Sequence, residues 1–169
     1  QNWEKAWRSP EPKKNYDEIF ERTRQSLAGF PFFPNDRNTM DVSPEERQEI
    51  LEGLWEKGGF RFLWGGFSDL LINPEANEIA SEFIREKIRG MVNDPEIAEI
   101  LCPYGYPYGS RRPPIDTDYY ETFNRGNVTL VDVRNNPIEE ITPNGVRTRD
   151  AAYECDALIY ATGFDAMTG

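Results

Sequence analysis

The sequence predicts an α/β fold in two parts, a helical part over residues 13–101 and a strand-forming part over residues 127–163. Three observations support this division. Helix start and stop signals punctuate the first part, the second part changes to the short β-rich and apolar runs typical of strands, and a connector rich in Pro, Gly and Tyr separates them.

Recognisable caps mark the predicted helices. Ser43 is followed by Pro and, three residues on, by Glu46, which is a capping box, and the glycine pair 58–59 ends that helix. Asn73 and Asp94 are each followed by Pro and Glu, so each should begin a further helix.

Apolar residues at helical spacing should form the core of this part. A first helix is expected within Asn15–Ala28, ended by Gly29, and an aromatic stretch covers Phe60–Ile72. The aromatic side chains could line a ligand pocket, but we interpret them as helix-packing core. The residues expected to face inward are Tyr16, Ile19, Phe20, Leu27, Ile50, Leu51, Leu54, Trp55, Phe60, Phe62, Trp64, Phe67, Ile79, Phe83, Ile84, Ile88, Met91, Ile97, Ile100 and Leu101.

Short β-rich segments characterise the second part. Asn127–Val133 is a β-rich run, and Ile138–Thr142 and Val146–Thr148 flank a Pro-Asn-Gly hairpin signal. Ala157–Ala161 is continuously apolar, as expected of a strand buried on both faces, and the neighbouring Cys155 is interpreted as an inert apolar residue.

A few short strands cannot cover both faces of such a buried strand. We therefore interpret the second part as the returning portion of a larger α/β nucleotide-binding domain, with the first part as a helical insertion. One self-sufficient α+β domain of 169 residues is the alternative. Because the chain lacks an initiator Met and stops just after an apolar run, we expect a piece of a longer protein.

Composition excludes several functions. The net charge is −11, which disfavours nucleic acid and anionic lipid, although an acidic face could dock a basic partner. The chain has no His, which removes Ser-His-Asp and Cys-His catalysis, and we expect no metal site. Cys102 and Cys155 form no CxxC pair and suit a reducing cytoplasm, and no apolar run reaches the length of a membrane span.

One constellation in the connector could carry chemistry. Arg111 and Arg112 are adjacent in a Gly/Pro/Tyr-rich loop of an otherwise acidic chain. A guanidinium can hold phosphate or stabilise developing negative charge. The alternative is that both arginines pair with Asp116 and Asp118 on the surface. No GxGxxG or P-loop motif is present, so the chain should not bind a dinucleotide unaided.

Several motifs together resemble a known family. Residues 161–169, ATGFDAMTG, resemble the ATGFDA signature of Baeyer–Villiger monooxygenases. Matching segments precede it in order at residues 82–89, 94–99 and 118–125, and the loop 106–112, YPYGSRR, is similar to the arginine loop of that family. The likeness is greatest to the phenylacetone type and weaker to the cyclohexanone type.

The resemblance implies a domain organisation and specific roles. Residues 1–103 would form a helical insertion domain, residues 104–160 the returning strands of a Rossmann-like NADPH-binding domain, and residues 161–169 the crossover toward an FAD domain. Arg112 would be catalytic, stabilising negative charge during oxygen transfer, and Arg111 and Arg112 would both bind cofactor, Arg111 at the 2′-phosphate of NADPH.

The implied reaction uses FAD, NADPH and O2 to convert a ketone into an ester or lactone. Because both GxGxxG motifs are missing, the chain should need the remaining FAD and NADPH segments of the parent and should be inactive alone. Two alternatives stay open. One is an N- or S-oxygenating flavin monooxygenase, and the other is a helical interaction module without catalysis.

Overall fold

The computed structural model describes residues 14–26 and 28–163. The chain divides into two compact units, Gln1–Arg125 and Gly126–Gly169. The described part of the first unit is helical. Its elements are α1 (Tyr16–Gln25), a 3₁₀ turn (Thr39–Asp41), α2 (Pro44–Lys57), α3 (Arg61–Trp64), α4 (Pro74–Met91), α5 (Pro95–Leu101) and α6 (Tyr119–Thr122).

Side-chain caps begin three of these helices where the sequence predicts. The Ser43 hydroxyl accepts from the Glu46 backbone N–H at 3.2 Å, and Asn73 and Asp94 cap α4 and α5 in the same way. The predicted capping box is only half formed at α2, because the Glu46 carboxylate accepts from Arg37 at 2.7 Å instead.

Two apolar clusters hold the first unit together. The larger joins α2, α3 and α4 through Leu51, Phe62 and Phe83, with the Phe62 and Phe83 rings stacked 5.4 Å apart. Trp55 meets both rings edge-on. The interpretation of the aromatic residues as packing core is therefore confirmed for Phe62, Phe67 and Trp55.

The smaller cluster joins α4 to α5. Ile88, Val92, Ala98 and Cys102 are buried there. The expectation that Ile100 faces inward is wrong, since that side chain is 46% exposed. With only two turns, α5 turns one narrow face toward α4, and Ala98 occupies its centre. The same expectation is wrong for Tyr16 and Phe20, because α1 has no buried residue and these side chains are 63% and 52% exposed. Leu27, assigned to the core of the first helix, lies outside the described residues.

Two short elements were not predicted from the sequence. The turn Thr39–Asp41 is held by the buried Asp69 carboxylate, which accepts from the Thr39 N–H at 2.8 Å and from the Thr39 hydroxyl at 2.7 Å. The other is α6, which has one turn. A single turn shows no periodicity, so only three-dimensional contacts reveal it.

An antiparallel sheet forms the second unit. Its strands β1 (Ile138–Thr142), β2 (Gly145–Thr148) and β3 (Ala152–Glu154) pair in the order β1-β2-β3. The predicted hairpin is confirmed, whereas β3 was not predicted. Gly145 is required at its position because a Cβ there would overlap the Tyr153 carbonyl oxygen.

Two predicted strands are wrong. Residues 127–133 and 157–161 pair with no strand among the described residues, and Ile159 is 87% exposed. Cys155 is likewise exposed rather than buried. A strand buried on both faces needs neighbours at its edges and covering layers, and residues 126–163 provide neither for 157–161. The observed fold is thus a small α/β arrangement of helices and one antiparallel sheet.

Within residues 14–26 and 28–163, none of the helices combines the length and apolar character that crossing a bilayer requires.

Candidate functional site

The arginine loop follows α5 and contains a tight turn over residues 107–110. The Ser110 N–H and hydroxyl donate to the Pro107 carbonyl at 3.2 and 2.6 Å. Gly109, the third residue of the turn, has a φ of +81°. A bond from the fourth residue to the first, with positive φ at the third, is typical of a type II turn. Arg111 therefore leaves directly from the end of a defined turn.

Close packing also favours glycine in this turn. A Cβ at position 109 would lie 2.6 Å from Leu71 Cδ2 and 2.8 Å from Leu63 Cδ1. Leu63 is a buried residue of α3, so the turn rests directly on the helical core.

Tyr108 anchors the turn in the larger cluster. Its ring meets the Phe62 ring edge-on at 5.6 Å. Burial raises the pKa of the Tyr108 phenol well above its usual value of 10.0. The phenol thus stays protonated at neutral pH, and the side chain acts as a packing group.

Asn77, on α4, holds the backbone of the same residue. Its Nδ2 donates to the Tyr108 carbonyl at 2.9 Å and to the Leu70 carbonyl at 3.0 Å. The Tyr108 N–H in turn donates to Asn77 Oδ1 at 2.8 Å. The amide therefore pairs with both backbone polar groups of one turn residue.

Arg111 and Arg112 project from this turn as exposed side chains. The Arg111 guanidinium carbon lies 4.8 Å from the centre of the Tyr106 ring, and that of Arg112 lies 5.0 Å from the centre of the Phe60 ring. In a cation–π contact of this kind, the ring covers one face of the guanidinium and leaves its N–H donors available for other partners.

Neither arginine forms an ion pair with a carboxylate of residues 14–26 or 28–163. The alternative of surface pairing with Asp116 and Asp118 is therefore wrong, and the Asp116 carboxylate accepts from the Tyr119 N–H at 2.7 Å instead. Two cations whose donors have no carboxylate partner in the described chain suit a phosphate or another anion.

A second arginine pair, on α4, was missed by sequence reasoning. Arg85 is only 5% exposed, yet it donates to Glu82 at 2.7 Å and also to Glu78. Burial alone would lower the pKa of Arg85, but the bonds to Glu82 and Glu78 outweigh it and raise the pKa. The one available signal was an arginine on the apolar side of the helix with glutamates three and seven residues earlier.

Arg89 extends this cluster to α5 and to the start of the arginine loop. It donates to Glu82 at 2.7 Å, to Glu99 at 2.5 Å and to the Tyr104 hydroxyl at 2.8 Å. Hydrogen bonding to Arg89 lowers the pKa of Glu82 and of Glu99. We refer to Glu78, Glu82, Arg85, Arg89, Glu99 and Tyr104 as the helical ion cluster.

The signature at residues 161–169 falls mostly beyond the described part, which ends at Gly163. No group of three or more His, Cys, Asp or Glu side chains in residues 14–26 and 28–163 is arranged to hold a metal ion.

Three known proteins show the relationships of the chain, although no protein-family model matches it. It is 46% identical over 157 residues to 2-oxo-Δ3-4,5,5-trimethylcyclopentenylacetyl-CoA monooxygenase of Pseudomonas putida, covering 93% of this chain and 29% of the relative. Identity is 42% over 161 residues to a Baeyer–Villiger monooxygenase of Pseudooceanicola batsensis. It is 46% over 161 residues to phenazine N-monooxygenase PhzNO1 of Lysobacter antibioticus. Each of these last two alignments covers 94% of this chain and 29% of the relative.

Solved structures of monooxygenases are also similar to this chain. A crystal structure of OTEMO with FAD and NADP matches with a TM-score of 0.89 and 45% identity, covering 92% of this chain and 29% of that one. An open crystal structure of cyclohexanone monooxygenase matches with a TM-score of 0.86 and 44% identity, covering 92% and 30%.

The fold of this chain is thus similar to a segment of known monooxygenases. Over the length compared, the chain is similar to Baeyer–Villiger monooxygenases. It spans about 29% of the length of these curated relatives.

Proposed function

We propose that this chain is a segment of an FAD- and NADPH-dependent Baeyer–Villiger monooxygenase, which inserts one oxygen atom of O2 into a ketone to give an ester or lactone. The relatives support the reaction class. The observation that carries the proposal is the turn bearing Arg111 and Arg112, whose guanidinium groups are exposed and bound by no carboxylate of the described chain.

Arg112 is proposed as the catalytic residue. When bound, the flavin supplies the oxygen-transfer chemistry. Arg112 would supply a fixed positive charge against the negative charge that develops on oxygen, and it would help to hold the cofactor. The Phe60 ring beneath the guanidinium supports a fixed orientation. Charge stabilisers of this type contribute about 10²–10³-fold to rate.

Arg111 is proposed to bind the 2′-phosphate of NADPH. A guanidinium can donate two parallel N–H bonds to phosphate, and the Tyr106 ring leaves those donors available. Since the donors of Arg111 meet no carboxylate in residues 14–26 and 28–163, a dianionic phosphate would meet no competing protein anion there.

The domain assignment also remains a proposal. Residues 1–103 would be a helical insertion domain, residues 104–160 the returning strands of a Rossmann-like NADPH-binding domain, and residues 161–169 the crossover to the FAD domain. Support comes from the exposed apolar run at 157–161, which has no strand partner among the described residues. The missing segments of the parent would provide its sheet.

N-oxygenation is a second candidate, favoured by one observation. A phenazine N-monooxygenase is as similar to this chain as the ketone-acting relatives are. Offering the full-length protein one ketone and one aromatic N-heterocycle under the same conditions distinguishes the two, since ester or lactone supports the first function and N-oxide the second.

The decisive experiment compares Arg112→Ala with Arg24→Ala in the full-length protein. Arg24 is an exposed arginine of α1 that, like Arg112, forms no ion pair in the described chain, and it serves as the matched control. We expect Arg112→Ala to lower ketone oxygenation by about 10²-fold or more while leaving the free energy of unfolding unchanged. Near-normal oxygenation with intact flavin reduction would contradict the role of Arg112.

Nucleotide protection separates the oxygenase from a helical interaction module. NADP⁺ should protect Arg111 from a guanidinium-specific reagent in the full-length protein, whereas a non-catalytic module predicts no protection. The remaining partners follow the same proposal: a ketone, O2 and the other segments of the parent, with neither nucleic acid nor membrane. Two free thiols also suit a cytoplasmic location.

A further inference from the structure

We propose that Asn77 is a positioning residue that fixes the arginine turn by clamping Tyr108. The inference rests on the proposed roles of Arg111 and Arg112 and adds a residue of the helical unit to that site. Asn77 itself would touch neither cofactor nor substrate and would act through the turn backbone.

The clamp is a complete set of hydrogen bonds. Asn77 Oδ1 accepts from the Tyr108 N–H at 2.8 Å, and Asn77 Nδ2 donates to the Tyr108 carbonyl at 2.9 Å. The second Nδ2 proton goes to the Leu70 carbonyl at 3.0 Å. Only a side-chain amide offers one acceptor and two donors in this arrangement.

The position of Asn77 makes the clamp rigid. The residue lies in the first turns of α4 and is 7% exposed, so water cannot readily replace its bonds. The helix itself starts from a side-chain cap at Asn73. A buried amide on a capped helix is therefore the fixed partner, and the turn is the part that it holds.

Tyr108 transmits this constraint to the arginines. It is the second residue of the type II turn, and the Ser110–Pro107 bond closes that turn directly before Arg111. The close approach of Gly109 to Leu63 and Leu71 leaves little room for the turn to shift sideways. The clamp at Tyr108 opposes the remaining movement, in which the turn lifts away from α4.

Loss of the clamp would reduce the fraction of molecules with the arginines in place. The apparent affinity of a ligand falls in proportion to the fraction of the binding-competent conformation. If that fraction falls to about a tenth, the dissociation constant for NADP⁺ rises about tenfold. The intrinsic contacts of Arg111 and Arg112 are unchanged.

The test uses three variants of the full-length protein. Asn77→Leu removes every bond of the clamp, whereas Asn77→Asp keeps the acceptor for the Tyr108 N–H and removes only the donors. Ile88→Val is the matched control: Ile88 is buried in the smaller apolar cluster, three turns farther along α4, and has no polar group that could join the clamp. Asn77→Asp preserves shape and serves if Asn77→Leu fails to fold.

Two readouts are measured, hydrogen exchange of the Tyr108 amide without nucleotide and equilibrium binding of NADP⁺. We expect faster amide exchange in Asn77→Leu, an about tenfold weaker affinity in both Asn77 variants, and wild-type values in Ile88→Val. Unchanged exchange at residues 106–112 in Asn77→Leu would overturn the proposal. So would an equal loss of affinity in Ile88→Val, which would indicate general destabilisation.

The clamp and the proposed function can fail separately. If the full-length protein neither binds NADP⁺ nor oxygenates a ketone, the proposed function is wrong whatever the exchange result. If Arg111→Ala and Arg112→Ala leave NADP⁺ binding and oxygenation intact, the proposed roles of these arginines are wrong. If those variants behave as proposed but the Asn77 variants retain both wild-type exchange and wild-type affinity, only the positioning role is wrong.

Discussion

The helical unit carries two pairs of arginines in opposite electrostatic situations. Arg85 and Arg89 are bound by three glutamates and tie α4 to α5. Arg111 and Arg112 lie on aromatic rings and meet no carboxylate of the described chain. An arginine whose charge is already matched can stabilise the fold, whereas an unmatched one is available to a ligand.

The largest effect on stability should come from Arg85→Ala. The substitution leaves a cavity at a buried site and removes the partner of Glu78 and Glu82. We expect the free energy of unfolding of the full-length protein to fall by about 2–3 kcal/mol in urea titrations. Arg22→Ala, which breaks an exposed pair with Glu18, should cost less than about 0.5 kcal/mol. Equal losses would remove the distinction between the cluster and ordinary surface pairs.

Gly109→Ala tests whether close packing of the turn, rather than ion pairing, fixes the positions of Arg111 and Arg112. The new Cβ would contact Leu63 and Leu71 at less than van der Waals distance, and the alanine would have to adopt a positive φ. We expect a loss of about 1–2 kcal/mol in the free energy of unfolding, together with weaker NADP⁺ binding. Gly105→Ala is the control, because it shares the positive φ but meets no atom within 4 Å. If both variants behave alike, the close packing of the turn is unimportant.

Acid should weaken the helical ion cluster. Hydrogen bonding to Arg89 lowers the pKa of Glu82 and Glu99 below the usual 4.5. A carboxyl group with a lowered folded-state pKa contributes stability above its unfolded pKa, and that contribution is lost as pH falls through the folded value. We therefore expect stability to decline below about pH 4.5, measured by urea unfolding from pH 6 to pH 3. The decline should be shallower in Arg89→Ala, and an identical slope would contradict this account.

The smallest effect on stability is expected for substitutions of Arg111 and Arg112. Arg111→Gln and Arg112→Gln each break no ion pair in the described chain, so the free energy of unfolding should change by less than about 0.5 kcal/mol. The measurement is thermal unfolding of the full-length protein without nucleotide. A loss comparable to that of Arg85→Ala would show that these arginines serve the fold after all.

Local signals made part of this fold predictable. The caps at Ser43, Asn73 and Asp94 act within three residues, and the hairpin depends on one turn, so both can be read from sequence. The strand expected at 157–161 depends on neighbours, and no residue between 126 and 163 pairs with it. The composition of that run indicates a tendency to form a strand, but it does not show whether neighbouring strands are present.

The site was predictable only to the same extent. Adjacent arginines in an acidic chain drew attention to positions 111 and 112, and the family motif assigned their roles. The burial of Arg85 was signalled only by its spacing from Glu78 and Glu82. The clamp of Asn77 on Tyr108 was not visible, because it joins residues 31 positions apart. Such contacts depend on how α4 packs, which no local pattern encodes.

The two cysteines differ in exposure, so their reactivity can report on the contact between α4 and α5. Burial raises the pKa of the Cys102 thiol, whose sulfur lies 3.8 Å from the Arg85 carbonyl, whereas Cys155 is exposed. A thiol reagent should therefore modify Cys155 at once and Cys102 only when α5 separates from α4. The labelling rate of Cys102 therefore measures how often α5 separates from α4 while the rest of the protein stays folded.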